Sequence, residues 1–428
     1  MLDARTIGLR PKVNRESLEV GDLVIDNGAS AGLPVTGMNY SLISGAIAAA
    51  LPHLPSVKAP PHELELMLRD SGPRKLPSDH PFPQLMQVLR AEEDLSTFDN
   101  KMHVLPGFAR RIQLLDLAAW LLRRSARVGV AGTLDGLKQY LGSNTFPCHM
   151  VVVLTGVTPD RRAKLDETTL LLPWASLPNT STKSAVAEHF AFGTRRPEAA
   201  LLERIDVPRK YRAPEVEEYM DPHDEGKLND AILCLGLSGP TSPLRVASWF
   251  EPPEWAPVMV GGYSINVQGG PSRSRPLTSQ LLSKAVRLFK KWLALPKSRQ
   301  TELRIPIGRM ITAMRRESLV DEAIDLGIAL ESVFLGELSD DRTELGFQLR
   351  IRGSRWLGGN YGQRMRVYRL LRGLYKARSI AVHTGQLPAS VDGSGTRELL
   401  NQGYEVTSQA LALLVQKAAP DWIKVLLS

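Results

Sequence analysis

The chain carries only two cysteines in 428 residues, Cys148 and Cys234. That excludes a disulfide scaffold and any cysteine-based zinc site of the usual spacing, and it fits a reducing compartment. Long apolar runs are missing too. The longest stretches, Leu42–Leu51 and Met150–Val157, fall well short of the roughly 20 residues that a membrane-crossing helix needs. The opening Met1-Leu2-Asp3-Ala4-Arg5 lacks the basic-then-apolar pattern of a secretion signal. A soluble, cytoplasmic protein with no membrane partner is expected. There is no Gly-x-x-x-x-Gly-Lys phosphate loop and no Gly-x-Gly-x-x-Gly turn, so the nucleotide-binding folds built on them have no support. Gly236-Leu237-Ser238-Gly239-Pro240 has Pro240 where a nucleophile elbow needs glycine. Asp221-Pro222-His223-Asp224-Glu225 gathers potential metal ligands, but adjacent loop residues rarely converge on one ion, and a solvated turn is expected. No metal and no cofactor is expected.

What the chain does have is positive charge in one place. Residues 271–428 hold 25 basic and 14 acidic residues, an excess larger than the +8 of the whole chain. From Arg342 to Arg378 there are ten basic residues and one acid, Glu344. A patch of that kind suits a polyanion; its plainer reading is a set of solvated helix faces.

Patterning divides the chain in three and gives an α+β fold class. Residues 1–145 read as mainly helical, with helices over Leu42–Leu51, Glu63–Leu68, Pro83–Glu92, Phe108–Arg124 and Leu134–Leu141. Residues 146–270 read as β-rich, a possible sensor region. Met150–Leu154, Thr168–Leu172, Ala185–Phe192, Ala231–Leu237, Leu244–Trp249 and Val258–Val267 are its strand candidates. Gly269–Ser274 reads as a linker. Residues 276–428 form a run of helices with short joins, an antiparallel bundle. Its members are Leu281–Leu295, Ile305–Arg316, Val320–Phe334, Leu345–Leu357, Tyr361–Val382, Glu398–Ala418 and Trp422–Leu427.

The chemistry concentrates at the end of the Tyr361 helix. Val367, Leu371 and Leu374 recur at i, i+4, i+7 and give it one apolar face. Thr384-Gly385 and Pro388 stop it near His383. Around that face stand Arg364, Arg366, Arg369, Arg372, Lys376 and Arg378. A histidine titrates near neutral pH and passes protons. An arginine offers a planar fork of donors to phosphate oxygens. Arg378 and His383 together can cleave RNA without metal, because the neighbouring 2′-hydroxyl is a built-in nucleophile. On an undistorted helix the two lie about 140° apart. They serve one site only if the helix bends between them or a second copy completes it. Such spacing also arises by chance; Arg74 and His80 form a comparable pair in a loop-like segment. Tyr375 can stack a base or fill the core. Ser379 can bond a phosphate or its own i−4 carbonyl. Glu331 can be solvated, pair inside the bundle, or position Arg378 or His383.

The run Leu374-Tyr375-Lys376-Ala377-Arg378-Ser379-Ile380-Ala381-Val382-His383-Thr384-Gly385 resembles the signature of the HEPN superfamily, in particular its ApeA-like branch. Asp325-Leu326-Gly327-Ile328-Ala329-Leu330-Glu331-Ser332-Val333-Phe334 is similar to the Ala-Leu-Glu helix of that branch. The resemblance covers about the last 150 residues, and it departs at Thr384, where a glycine often follows the histidine. It implies an HEPN-like bundle with metal-independent endoribonuclease activity, acting as a homodimer whose Arg–His motifs meet at a cleft. Arg378 would hold the scissile phosphate, His383 shuttle the proton and Ser379 assist. The basic residues Arg364, Arg369, Arg372 and Lys376, with Tyr375, are the expected RNA contacts, tRNA being one candidate substrate, and the resemblance suggests Glu331 as a supporting carboxylate. It also implies a role in anti-phage abortive infection, with a phage-derived trigger. The alternative is a non-catalytic HEPN-like module that binds RNA or protein.

Overall fold

A computed structural model describes residues 38–54, 79–96, 99–105, 108–191, 196–212, 224–239, 241–258, 263–266, 275–336, 344–417 and 419–427. The expected Glu63–Leu68 helix, the segment 1–36, the linker 269–274 and residues 221–223 lie outside them. The architecture is α+β. Helices α1 (Tyr40–Ala50), α2 (Pro81–Ala91) and α3 (Leu114–Gly142) pack together, with a small sheet of β1 (Met102–Leu105) and β2 (Phe108–Arg111) between them in sequence. The sheet's third strand arrives later in the chain. His80 caps α2 by accepting the Phe82 N–H, and Pro81 opens the helix where its missing N–H costs nothing.

A six-stranded antiparallel sheet follows. Its strands are β3 (Thr145–Thr155), β4 (Ala163–Lys164), β5 (Thr169–Pro173), β6 (Ala199–Pro208), β8 (Leu244–Glu251) and β9 (Ser264–Ile265), in the spatial order β9-β8-β3-β6-β5-β4. β7 (Lys210–Arg212) leaves this sheet and joins β1. Strand β3 is central, with Val151 opposite Leu202 on one side and Trp249 on the other. Side chains alternate across it. Val151 and Val153 meet α4 (Ser181–Phe190) through Val186 and Phe190. Met150, Val152 and Leu154 face the opposite way, into α5 (Gly226–Ser238) and the C-terminal helices. Phe146 and Cys148 join the core of α1–α3.

The bundle comprises α6 (Ser279–Leu293), α7 (Lys297–Ala313), α8 (Leu319–Leu335), α9 (Leu345–Leu357), α10 (Tyr361–Thr384), α11 (Thr396–Gln416) and the short α12 (Trp422–Leu427). One continuous core runs from the β3 face through α5 into these helices. The shift from strand-rich to helix-rich sequence near residue 270 is therefore a change of secondary structure, not a break in the core. Among the described residues no helix is long and apolar enough to cross a membrane.

Three expectations are corrected. Ala185–Phe192 is not a strand; α4 occupies it, with Thr180 accepting the Lys183 N–H as its cap. Ala231–Leu237 is also helical. The Ala231–Leu237 part of α5 is wedged between sheet and bundle and is an unbroken apolar run, which makes it indistinguishable in sequence from a buried strand. Ser238 there donates to the Leu235 carbonyl at 2.8 Å inside the core, so no nucleophile elbow forms. Phe108–Arg111 pairs with β1, and the helix starts only at Leu114, where Gln113 and Asp116 form a capping box. α3 then breaks at Gly129 (φ 79°, ψ 164°), a conformation that glycine adopts without strain.

Glu322 of α8 is 1% exposed and accepts two hydrogen bonds from Arg397 of α11, at 2.8 and 2.5 Å. Arg397→Ala is expected to lower stability by about 1–3 kcal/mol, because it leaves a buried carboxylate unpaired. Arg397→Ala combined with Glu322→Gln recovers most of that loss in urea titrations. A double variant as unstable as the single one contradicts the pairing.

Candidate functional site

Helix α10 opens with a capping box. Asn360 accepts the Gln363 N–H at 3.0 Å and Gln363 accepts the Asn360 N–H at 2.9 Å. It ends where Gly385 turns left-handed (φ 66°) and its N–H bonds the Ala381 carbonyl. The expected stop is thus in place. Thr384, directly after His383, donates to the Ile380 carbonyl at 2.8 Å and accepts the Gln386 N–H at 3.2 Å, closing the helix end.

The helix is continuous from Tyr361 to Thr384, so its side chains sort by the 100° advance per residue. Leu371, Leu374, Ala377 and Ala381 are buried. On the opposite side Arg369, Arg372, Lys376, Ser379 and His383 share one stripe, within an arc of about 80°. Arg378 lies off that stripe, on the flank facing α8. One helix therefore carries the two halves of the expected site on different faces, separated by about 140° and about 7.5 Å of rise. Within one chain they do not converge on a single phosphate.

Arg378 is held in place. Its stem crosses α8 over Gly327, where an added Cβ would stand 2.9 Å from the Arg378 Cβ. One turn further along α8, Glu331 meets the guanidinium side-on, Nε to Oε1 at 3.4 Å and Nη2 to Oε2 at 3.4 Å. The pair is 29% and 27% exposed, so one edge still reaches solvent. Burial raises the Glu331 pKa, and Arg378 opposes that shift.

The stripe is different. His383 is exposed, and among the described residues no hydrogen bond or ion pair reaches its imidazole. Arg369 is likewise exposed. Arg372 and Lys376 both reach Asp392, Nε to Oδ2 at 3.0 Å and Nζ to Oδ1 at 2.9 Å. Asp392 sits in a tight turn at φ 51°, and the Lys376 hydrogen bond holds its carboxyl below the usual range. Ser379 lies between Lys376 and His383 and is half-buried. Two expected RNA ligands stand apart. Tyr375 packs its ring over Gly346 of α9, against the core. Arg364 donates to the Gly359 carbonyl at 3.0 Å, at the far end of the helix.

Gly327 and Asp392 are the functional neighbours that the sequence reading passed over. Gly327 precedes Glu331 by four residues, the spacing of one helix face. Asp392-Gly393 carries the dipeptide signature of a tight turn. Compared with protein-family models, curated proteins and solved structures, the chain matches none. The functional reading rests on the residues themselves.

Because burial favours the protonated Glu331, the native chain keeps that proton to higher pH than the unfolded chain does. Stability then falls as pH rises from the ordinary carboxylate range through the raised value, and levels off above it. Urea midpoints of wild type relative to Glu331→Gln are expected to decline across that window. A rise would mean that the Arg378 attraction outweighs desolvation.

Proposed function

We propose that the protein is a metal-independent endoribonuclease of the HEPN kind, working as a homodimer in the cytoplasm, with residues 1–270 sensing or gating in an anti-phage response. The observation that supports this most is the division on α10. A guanidinium is fixed on one flank by Glu331, and an exposed imidazole without a partner among the described residues lies on a basic stripe. In the reaction His383 takes the proton of the RNA 2′-hydroxyl, whose oxygen attacks the adjacent phosphorus. Arg378 stabilises the charge that builds on the non-bridging oxygens. The 5′-oxygen leaves with the proton that the His383 imidazolium gives up, and the products are a 2′,3′-cyclic phosphate and a 5′-hydroxyl. The chemistry needs only proton transfer and charge stabilisation. Because Arg378 and His383 face apart, a second copy supplies the complementary group.

Purified protein incubated with tRNA in EDTA is expected to give fragments with 2′,3′-cyclic ends. His383→Ala is expected to slow cleavage by roughly 10²–10⁴-fold, the usual span for loss of an acid–base group. Arg378→Ala slows it comparably. Cleavage unchanged in both variants overturns the site.

A second reading, a module that binds RNA without cleaving it, is favoured by Asp392, which occupies two of the stripe's cations. The two readings share one test of the stripe. Asp392→Asn keeps a residue that tolerates the left-handed turn and releases Arg372 and Lys376. RNA affinity is expected to rise several-fold. The log–log salt dependence steepens by up to about 1.4, roughly 0.7 per new phosphate contact. Unaltered affinity and slope would remove the stripe from RNA binding under either reading.

A further inference from the structure

A cleft of about 660 Å³ opens where α5, β8 and β9 meet α7. Its described lining includes four arginines, Arg245, Arg304, Arg309 and Arg315, and no carboxylate. The carboxylates that answer them stand behind the wall. Asp230 takes Arg304 Nη2 at 2.6 Å, Asp325 takes Arg309 Nη1 at 2.9 Å, and Glu225 pairs with Arg245. Arg304 also lies over the Trp292 ring, 5.7 Å from its centroid, and Arg245 donates to Ser248 as well, so these guanidiniums are fixed in place at the wall. Arg304 and Arg309 are 37% and 47% exposed. The rest of the wall is largely aliphatic, with Leu233, Leu244 and Ile311 among its members. Ile305 forms part of the lining while 63% exposed, an apolar side chain left in water beside the arginines.

Helix α7 builds much of this wall from one face. Arg304, Gly308 and Ile311 recur at i, i+4, i+7, and Arg315 adds to the wall from the join after Ala313. Gly308 matters most. An added Cβ there would meet nothing within 4 Å, so the helix leaves a hole on the cavity side. Glycine inside a helix costs about 1 kcal/mol relative to alanine, and no packing contact explains it at this position.

We infer that this cleft binds a nucleoside polyphosphate, its phosphates among the four guanidiniums and its nucleoside against the aliphatic wall and Ile305. The volume falls in the usual range for small-molecule sites, roughly 300–1,000 Å³. Guanidinium forks match phosphate oxygens in pairs, and several cations without a lining acid suit a multiply charged anion better than a single carboxylate. The site uses side chains from four elements rather than backbone amides of one loop. A missing glycine-rich phosphate motif therefore does not count against it. This inference is independent of the nuclease reading.

Titration calorimetry of the full chain with ATP, with adenosine and with inorganic pyrophosphate tests it. ATP is expected to bind more tightly than pyrophosphate. Gly308→Trp, which fills the hole without altering charge, and Ile305→Glu, which places an anion at an exposed rim position, are each expected to weaken ATP binding at least tenfold. Circular dichroism reports whether each variant is folded, and Ile305→Glu carries the test if the tryptophan variant is not. Three results overturn the inference: no ATP binding, ATP binding no tighter than pyrophosphate, or ATP binding unchanged in folded variants. Loss of RNA binding in Ile305→Glu without any ATP binding would instead make the cleft part of an RNA track, and would also overturn it.

Discussion

The bundle depends on buried carboxylates of one helix being answered from several sides. α8 carries Glu322 and Asp325, 1% and 3% exposed, and the half-buried Glu331. A charge in such surroundings costs several kcal/mol unless it is paired and hydrogen-bonded. Arg397 arrives from α11. Arg309 arrives from α7 and Arg316 from the join that follows it, both onto Asp325 at 2.9 and 2.7 Å. Arg378 arrives from α10. A slip of one helical turn, about 5.4 Å, along α8 breaks all of these pairs together. The ion pairs therefore set the relative register of four helices, while the apolar core supplies the bulk of the burial. They also change what the basic excess means. Part of the basic excess of residues 271–428 is tied to internal acids, Arg304 and Arg309 at the cleft included, so less of it is left uncompensated than the count of basic residues suggests.

The bundle is also joined to the sheet. Met150, Val152 and Leu154 of β3 share a core with α5 and with Phe289, Ile307 and Leu411 of the bundle. Rigid separation of the two would expose that surface. Any coupling between sheet and bundle would therefore run through small shifts at this seam rather than through domain opening. The arginine cleft lies at the same seam. Arg309, which lines it, is held by Asp325, six residues before Glu331 on the same helix. An anion drawing on Arg309 would act on the helix that positions Arg378.

Legibility followed local periodicity. Most bundle helices were readable to within a few residues, because their apolar stripes and caps lie in the local sequence; Leu345–Leu357 and Trp422–Leu427 coincide with the observed bounds, but the helix expected from Ile305 starts at Lys297 and carries Pro306 in its interior. α4 and α5 were not, since a short or wholly buried helix shows the same apolar run as an interior strand. Of the site, the placement of Arg378, Ser379 and His383 on one helix and its stop at Gly385 were readable, and the Glu331 pairing was one of three open readings. Tyr375 as a core residue was one of two open readings. The cleft was not readable at all. Its arginines come from β8 and α7, more than fifty residues apart in sequence, and no motif of fixed spacing joins them.

The separation of Arg378 and His383 constrains any catalytic arrangement. A two-fold contact along the α10 stripe would set Arg369, Arg372 and Lys376 of one copy near their own equivalents, because an isologous interface repeats the same patch. Like charges facing one another oppose that contact. Asp392 offsets two of the three cations without burying itself in the core. An RNA strand laid between the copies would offset the remainder. Arg378 lies about 140° from His383, so a contact along the stripe would leave Arg378 outside the seam; RNA held there would favour pairing by mass action without joining Arg378 to His383. A two-fold contact that joins Arg378 of one copy to His383 of the other would have to run along the flank of α10 between those two side chains, on the Ser379 side, and not along the cationic stripe.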